Sequence, residues 1–216
     1  VSLSARRVRF EGNSASDAGG GVFLEGMGAL LNMVDSEIVG CFGLNGAGGG
    51  VYARLAVVSL SNTIVRGNNA FLTGGGVQMM QGATLSARCG TLFEGNRAEF
   101  AGGAVSLSDS TMLLDGSECA DSSAGQLGVV FRGNVAGQYG GGVYANSSSV
   151  AALEVLFVDN TGMLACCGAV RLNNSRGVFE GCQFARNTAK TFAGAISVEA
   201  FTQAFLHRCV LEENYA

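Results

Sequence analysis

One phrase recurs along the whole chain, and it constrains the fold more than any other feature. An apolar residue is followed by Asn three positions later, by a small residue two positions after that, and then by a glycine run closed by Val or Ile. The copy at Phe131–Val143, FRGNVAGQYGGGV, contains every part of the phrase. Successive copies of its Asn position are separated by 28, 27, 28, 38, 26, 27 and 27 residues. A nearly constant period of this length predicts a repeat architecture.

Three columns of residues keep step with this period. The apolar-to-Asn segments are Phe10–Asn13, Ile38–Cys41, Val65–Asn68, Phe93–Asn96, Phe131–Asn134, Phe157–Asn160, Phe184–Asn187 and Leu211–Asn214. The small residues are Ala15, Gly43, Ala70, Ala98, Ala136, Gly162, Ala189 and Ala216. The glycine runs are Gly19–Val22, Gly48–Val51, Gly74–Val77, Gly102–Val105, Gly140–Val143, Cys167–Val170 and Ala193–Ile196. Eight small residues in register predict a column where adjacent coils approach closely or the interior is narrow.

A period near 27 residues without a helical pattern predicts an all-β fold, a right-handed parallel β-helix. We expect roughly eight coils, each with three short strands and three turns. Equivalent strands would stack about 4.8 Å apart. Residues 1–216 would form one such segment, and its stability would be close to a sum of stacking terms between neighbouring coils.

The Asn column predicts an internal ladder of side-chain amides that bond to the backbone or to the next Asn. Its members would be Asn13, Asn68, Asn96, Asn134, Asn160, Asn187 and Asn214. Each bond contributes on the order of 1 kcal/mol net, and a missing bond costs more. Cys41 stands in this column and would interrupt the ladder as a small buried side chain. The glycine runs would provide backbone conformations with positive φ.

The composition argues against two classes of partner. Charged residues make up only 14% of the chain and the net charge is −4, so we expect no nucleic-acid binding. No apolar run approaches the length that spans a membrane, so we expect no membrane insertion within this segment.

The chain stops within a repeat at LEENYA, which predicts that flanking repeats of a longer array would be its immediate neighbours.

The 38-residue step contains one insertion, at residues 115–127 (DGSECADSSAGQL). A tolerated surface loop is the simpler interpretation. The alternative is a weak calcium site, because Asp115, Glu118 and Asp121 lie close in sequence, although their spacing does not match an EF-hand loop.

The seven cysteines are an odd number, so at least one is unpaired within the segment or joined elsewhere. In the sixth repeat the glycine run becomes Cys166–Cys167–Gly168. Cys182 and Cys209 share one column, five residues before the Asn. Stacked columns lie within the range of Cα distances that a disulfide needs, and these two residues would form either a buried thiol pair or a disulfide.

Two N-glycosylation acceptors occur, at Asn146 and at Asn173. Each Asn lies three residues after the Val that closes its glycine run, so both would occupy the same turn on adjacent coils. Glycosylation would require a secretory route in a eukaryote.

No catalytic constellation emerges from the sequence. Acidic residues fall in scattered columns, at Asp35, Glu37, Asp109, Glu154, Asp159 and Glu180. The single histidine, His207, is expected to be structural. No phosphate-binding loop, Ser-His-Asp triad or zinc-ligand set can be drawn. We therefore predict no catalytic residues, no metal, no cofactor and no enzymatic activity.

The pairing of GG[AG][VI] with F-x-x-N resembles the repeat of the chlamydial polymorphic outer membrane proteins, a family also found in algal, other protist and bacterial surface proteins. GGAV at Gly102–Val105 and FEGN at Phe10–Asn13 and Phe93–Asn96 match that repeat as they stand. Cys41 in the Asn column and Cys167 and Ala193 in the glycine runs depart from it. The resemblance implies a right-handed parallel β-helix in a secreted or surface-exposed protein, usually with an adhesive role.

The expected function is therefore that of a structural or adhesive repeat segment at the cell surface or outside the cell. It would present a rigid face to other proteins or to surface glycans. Two alternatives remain open: a carbohydrate-active β-helix enzyme of the polysaccharide lyase or hydrolase type, and an intracellular, ciliary or flagellar scaffold with reduced thiols.

Overall fold

The computed structural model describes residues 1–117 and 128–216. Within these residues the chain forms strands and turns and no helix. The strands are β1 (Ser2–Arg6), β2 (Arg9–Glu11), β3 (Ser14–Ala15), β4 (Val22–Val34), β5 (Glu37–Val39), β6 (Phe42–Gly43), β7 (Val51–Ser61), β8 (Ile64–Arg66), β9 (Asn69–Ala70), β10 (Val77–Met80), β11 (Thr84–Arg88), β12 (Leu92–Glu94), β13 (Arg97–Ala98), β14 (Val105–Ser108), β15 (Thr111–Asp115), β16 (Val129–Arg132), β17 (Val135–Ala136), β18 (Val143–Asn146), β19 (Ser149–Leu153), β20 (Val155–Val158), β21 (Thr161–Gly162), β22 (Val170–Asn173), β23 (Arg176–Glu180), β24 (Gln183–Ala185), β25 (Thr188–Ala189), β26 (Ile196–Glu199), β27 (Gln203–His207) and β28 (Val210–Glu212).

These strands stack in rows along a parallel β-helix, which confirms the predicted fold class. The first row (β10, β14, β18, β22, β26) and the second row (β11, β15, β19, β23, β27) belong to one 13-stranded sheet, because β4 and β7 run through both. The third row is an eight-stranded sheet from β2 to β28, and the fourth is a seven-stranded sheet from β3 to β25. Neighbouring strands pair in parallel and in register. The described chain winds about seven turns.

Each coil thus has a fourth, two-residue strand in addition to the three that we predicted. In the fourth coil it is β13, which starts directly after Asn96 and ends at the column of small residues. Ala98 in that column is fully buried, as are its equivalents Ala70 and Ala136. The predicted close approach at this column is confirmed. Two residues are too few to show a strand period, which is why the sequence pattern did not reveal this row.

The predicted Asn ladder is present along most of the rod. Asn134 donates its backbone N–H and its side-chain amide to Oδ1 of Asn160, at 3.1 and 2.9 Å, and the same amide donates to Phe93 O at 3.0 Å. The same three bonds recur at Asn68, Asn96, Asn160 and Asn187, and the ladder ends at Asn214, whose amide donates to Phe184 O.

At its other end the ladder stops at Cys41, as predicted. The Cys41 N–H donates to Asn68 Oδ1 at 2.9 Å, but a thiol stands where the next carboxamide would be. Asn13, one coil further, keeps its place in the column but is exposed. The ladder proper therefore comprises the six other predicted residues.

A stack of phenylalanine rings lies beside the ladder in the core. The centroids of Phe93 and Phe131 are 4.5 Å apart, those of Phe131 and Phe157 are 4.9 Å apart, and those of Phe157 and Phe184 are 4.8 Å apart. All four side chains are fully buried. The coil spacing sets this separation, because each ring occupies the same position on successive coils.

The glycine runs serve two geometric purposes. The first glycine adopts a left-handed conformation, with φ +65° at Gly74 and +62° at Gly140. The second allows close stacking, since a Cβ at Gly75 would collide with the carbonyl oxygens of Arg97 and Gly103. The predicted positive φ is thus confirmed for the first position of the run.

A second internal ladder, which we did not predict, follows the turn between the first and second rows. We call it the serine ladder: Ser110, Ser148, Ser175 and Thr202. The backbone N–H of each of the first three donates to the hydroxyl oxygen of the next, at 3.0–3.1 Å. Each serine hydroxyl in turn donates to the carbonyl two residues earlier, at 2.7–2.8 Å. Most hydrogen-bonding groups of this turn are therefore paired with other groups of the protein.

Candidate binding surfaces

The candidate glycosylation sequences coincide with the serine ladder. Ser148 and Ser175 are the third residues of the two acceptor motifs, and both are buried ladder members. Asn146 and Asn173 lie opposite each other in β18 and β22, and the Asn173 amide donates to Asn146 Oδ1 at 2.7 Å. The recurrence of N-x-S here thus has a structural cause in the repeat. Glycosylation at Asn146 and Asn173 remains a prediction.

Cys182 and Cys209 lie in one column as predicted, and both are free thiols rather than a disulfide. The Cys182 Sγ lies 3.4 Å from the carbonyls of Ala152 and Glu180, and the Cys209 Sγ lies 3.3 Å from Phe179 O. Burial raises the pKa of the Cys182 thiol to about 11. On other coils the same column holds Thr63 and Thr91, whose hydroxyls also donate to backbone carbonyls, so the thiols replace a hydroxyl donor.

A disulfide occurs elsewhere, between the adjacent residues Cys166 and Cys167. Cys167 occupies the first position of its glycine run and has φ +72°, in the left-handed region that glycine occupies on the other coils. A non-glycine residue adopts this conformation at some cost, so the surrounding structure must hold it there. The sequence pattern located the substitution but did not predict the bond.

The inserted segment lies mostly outside the described residues, and so do Glu118 and Asp121 of the candidate calcium site. Asp115 is described, and its Oδ1 accepts hydrogen bonds from the N–H and the hydroxyl of Ser117, at 3.0 and 2.6 Å. These bonds lower the pKa of the Asp115 carboxyl. Among the described residues no group of three metal-ligating side chains comes together.

Large apolar side chains are exposed in a line along one corner of the rod, in the turns between the fourth row and the glycine runs. We call this the corner stripe: Leu44, Phe71, Leu72, Phe100, Met163, Leu164 and Phe192. The exposed fraction is 57% at Phe71, 61% at Leu164 and 73% at Phe192.

The turns of the corner stripe are held together by backbone hydrogen bonds. Phe71 N–H donates to Gly43 O, Phe100 N–H to Leu72 O, and Leu164 N–H to Gly137 O, at 2.8–3.1 Å. The repeat pattern concerned the inward columns, so it did not indicate this outward line. The backbone that carries the stripe is consequently held in place by these bonds.

Beside the corner stripe, Arg171 is fixed on the outer face of β22. Its guanidinium carbon lies 3.7 Å from the centroid of the Tyr139 ring and 5.8 Å from that of Tyr144. Its Nη2 donates to Glu199 Oε2 at 2.5 Å, and the Ser197 hydroxyl donates to Glu199 Oε1 at 3.0 Å. Nε and Nη1 are buried without a hydrogen-bond partner, which is consistent with a guanidinium plane packed on an aromatic ring.

A cavity of about 460 Å³ opens over this group. Its walls include Tyr139, Cys166, Arg171, Phe192 and Glu199. The Cys166 sulfur lies 3.6 Å from Glu199 Oε1. We call this the Arg171 cavity. The residues come from three successive coils, which is why sequence reasoning did not group them.

A second cavity, of about 420 Å³, is lined by two acidic residues that are two positions apart in the sequence, Asp35 and Glu37. Asn62 donates to Asp35 Oδ1 at 2.9 Å, and this bond is the main cause that lowers the pKa of Asp35, with Arg6 adding to it. Glu37 Oε2 is buried without a hydrogen-bond partner, and Arg9 Nε lies 3.6 Å from it.

Other acidic residues lie beside basic side chains on neighbouring coils. Asp159 accepts from Arg186 at 2.9 and 3.2 Å. Glu180 lies 3.3 Å from Nδ1 of His207, and both are exposed. His207, predicted to be structural, thus lies on the surface of β27 beside a carboxylate.

Comparison of the chain with protein-family models, with curated proteins and with solved structures found no match. The described residues contain no helix that is long and apolar enough to cross a membrane.

Proposed function

We propose that this segment is a non-enzymatic structural and adhesive rod of a secreted or surface-exposed protein, and that its corner stripe contacts proteins or glycans. The observation that carries the proposal is the alignment of seven exposed large apolar side chains on one corner. The stripe is interrupted on the fifth coil, where Gly137 and Gln138 stand, and it continues on the coils on either side. Large exposed apolar patches are typical of interaction sites.

The rigidity of the corner supports this role. The turns that carry the stripe are hydrogen-bonded to one another, so their backbone needs little ordering when a partner binds. Binding to a preorganised surface costs less conformational entropy than binding to a mobile one. The surface or secreted location is proposed from the resemblance of the repeats to those of polymorphic outer membrane proteins.

Bead adhesion tests the proposal. Beads coated with the rod would be applied to cells of the organism that makes the protein, with albumin-coated beads as the blank. A Phe71→Ser/Leu164→Ser variant should lower the number of bound beads roughly tenfold, because it removes two of the central contacts of the stripe.

The matched control is Leu113→Ser/Val178→Ser, which removes two exposed apolar side chains from the outer face of the second row. This variant should bind as the wild type does. The proposal fails if rod-coated beads adhere no better than albumin-coated beads, or if the stripe variant and the control behave alike.

One observation favours a second candidate, a carbohydrate-active enzyme. Asp35 and Glu37 line one cavity together, and glycosidases use a pair of carboxyl groups across the bond that they cleave. The test is release of reducing ends or of unsaturated products from a panel of polysaccharides. Activity that disappears in both Asp35→Asn and Glu37→Gln would establish the enzyme, and absence of activity in the wild type would remove it.

A further inference from the structure

We infer that the Arg171 cavity is a binding subsite for a neutral saccharide ring. The inference deepens the proposed adhesive function and rests on it, since the cavity adjoins the corner stripe at Phe192. It names the chemical class that one end of the stripe would recognise.

The polar groups of the cavity suit hydroxyl groups rather than ions. Arg171 and Glu199 are joined at 2.5 Å, so the cation and the anion cancel and neither is available to a charged ligand. The Glu199 side chain is 38% exposed, and its carboxylate oxygens can accept further hydrogen bonds from hydroxyl donors. Ser197 lies beside it; its O–H donates to Glu199 Oε1, and its oxygen can accept a hydrogen bond from a ligand hydroxyl.

The apolar groups of the cavity suit the flat face of a pyranose. Phe192 is 73% exposed and lines the cavity, so much of its ring is available to a ligand. A saccharide ring has C–H bonds on its faces and hydroxyls around its edge. The exposed ring of Phe192 therefore matches the face of the saccharide ring, and Glu199 and Ser197 match the hydroxyls at its edge.

The cavity is also preorganised. The guanidinium of Arg171 is fixed by the Tyr139 ring on one side and by Glu199 on the other, so the carboxylate has a defined position. The bond between Cys166 and Cys167 restrains the neighbouring wall. A volume of about 460 Å³ lies within the range of small-molecule sites and accommodates a monosaccharide with part of a second residue.

Saturation-transfer-difference NMR tests the inference on the full chain. The probes are methyl glycosides of glucose, galactose, mannose, fucose and N-acetylglucosamine, each at up to about 20 mM, so that binding as weak as a Kd of about 1 mM is detected. We expect transfer to at least one glycoside, strongest at the protons of one ring face.

Two variants locate the signal. Phe192→Ala removes an exposed ring and leaves the core untouched, and Glu199→Gln keeps the shape of the acceptor while removing its charge. Each should weaken binding about tenfold or more. Phe23→Ala is the matched control, because it removes an exposed ring of β4 that lies on a distant coil and outside the corner stripe, and it should leave binding unchanged.

The outcomes separate this inference from the proposed function. If no glycoside binds, or if binding persists in Phe192→Ala, the saccharide subsite is wrong, while bead adhesion that depends on Phe71 and Leu164 would still support the rod. If a glycoside binds at Phe192 but beads do not adhere, the subsite stands and the adhesive role fails.

Discussion

The backbone N–H and the side-chain amide of Asn134 both donate to one oxygen, Oδ1 of Asn160, at 3.1 and 2.9 Å. Both residues are fully buried, so water cannot replace either bond. One side chain thus links three coils, because Asn134 also donates to Phe93 O on the preceding coil. The stability of the rod should depend strongly on this column.

Asn134→Leu should lower the free energy of unfolding by at least about 3 kcal/mol, since it removes the acceptor of the Asn96 N–H and side-chain amide and the amide that donates to the Phe93 carbonyl. Thermal unfolding followed by circular dichroism measures the effect. Asn13→Leu is the control, because Asn13 is exposed, and it should change stability by less than about 0.5 kcal/mol. An unchanged melting temperature in Asn134→Leu would contradict the ladder.

Phe131→Ala should cost about 3–5 kcal/mol, because it removes a ring that stacks on Phe93 and on Phe157 and leaves a buried cavity. Phe71→Ala, at an exposed position, should cost much less. Chemical denaturation of both variants provides the comparison. Similar losses in the two would mean that burial does not govern the stability of this rod.

Ser148→Ala should destabilise the protein by about 1–2 kcal/mol, since the Ser110 N–H then loses its acceptor in a buried turn. Ser147→Ala is the neighbouring control, as the Ser147 hydroxyl accepts only from the exposed Asn174 amide. The proteins should be made in the bacterial cytosol, so that loss of the acceptor motif at Asn146 has no effect. Equal stability of Ser148→Ala and wild type would contradict the serine ladder.

Stability should fall between pH 9 and pH 11 because of Cys182. Burial raises its pKa from 9.0 to about 11, so the unfolded chain releases this proton at a lower pH than the folded one. The contribution of the neutral Cys182 thiol to stability is fully present below pH 9. It is lost as the pH rises through the folded pKa, which lowers the free energy of unfolding by about 2–3 kcal/mol in total. Cys182→Thr restores the hydroxyl found at Thr63 and Thr91, and it should remove this part of the pH dependence. Parallel pH profiles of the two proteins would rule out the effect.

The inward columns could be predicted from the sequence because each one recurs with the coil. Asn68 through Asn214, the phenylalanine column and the first glycines of the runs all lie where the period places them. The serine ladder carried the same signal, with Ser110, Ser148, Ser175 and Thr202 at steps of 38, 27 and 27 residues. Two of these residues, Ser148 and Ser175, also complete glycosylation motifs, and that second pattern concealed the serine column.

The outward-facing side chains that form the cavity do not recur with the coil, so the repeat period could not predict them. Tyr139, Arg171 and Glu199 meet on the surface although they belong to different positions of the repeat, and the stacking of β18, β22 and β26 brings them together. The sequence by itself determined the coil, its period and its internal ladders, because identical positions stack on one another. Only the tertiary structure decided which outward side chains share a cavity or a corner, because that depends on how turns of different length fold over the sheets.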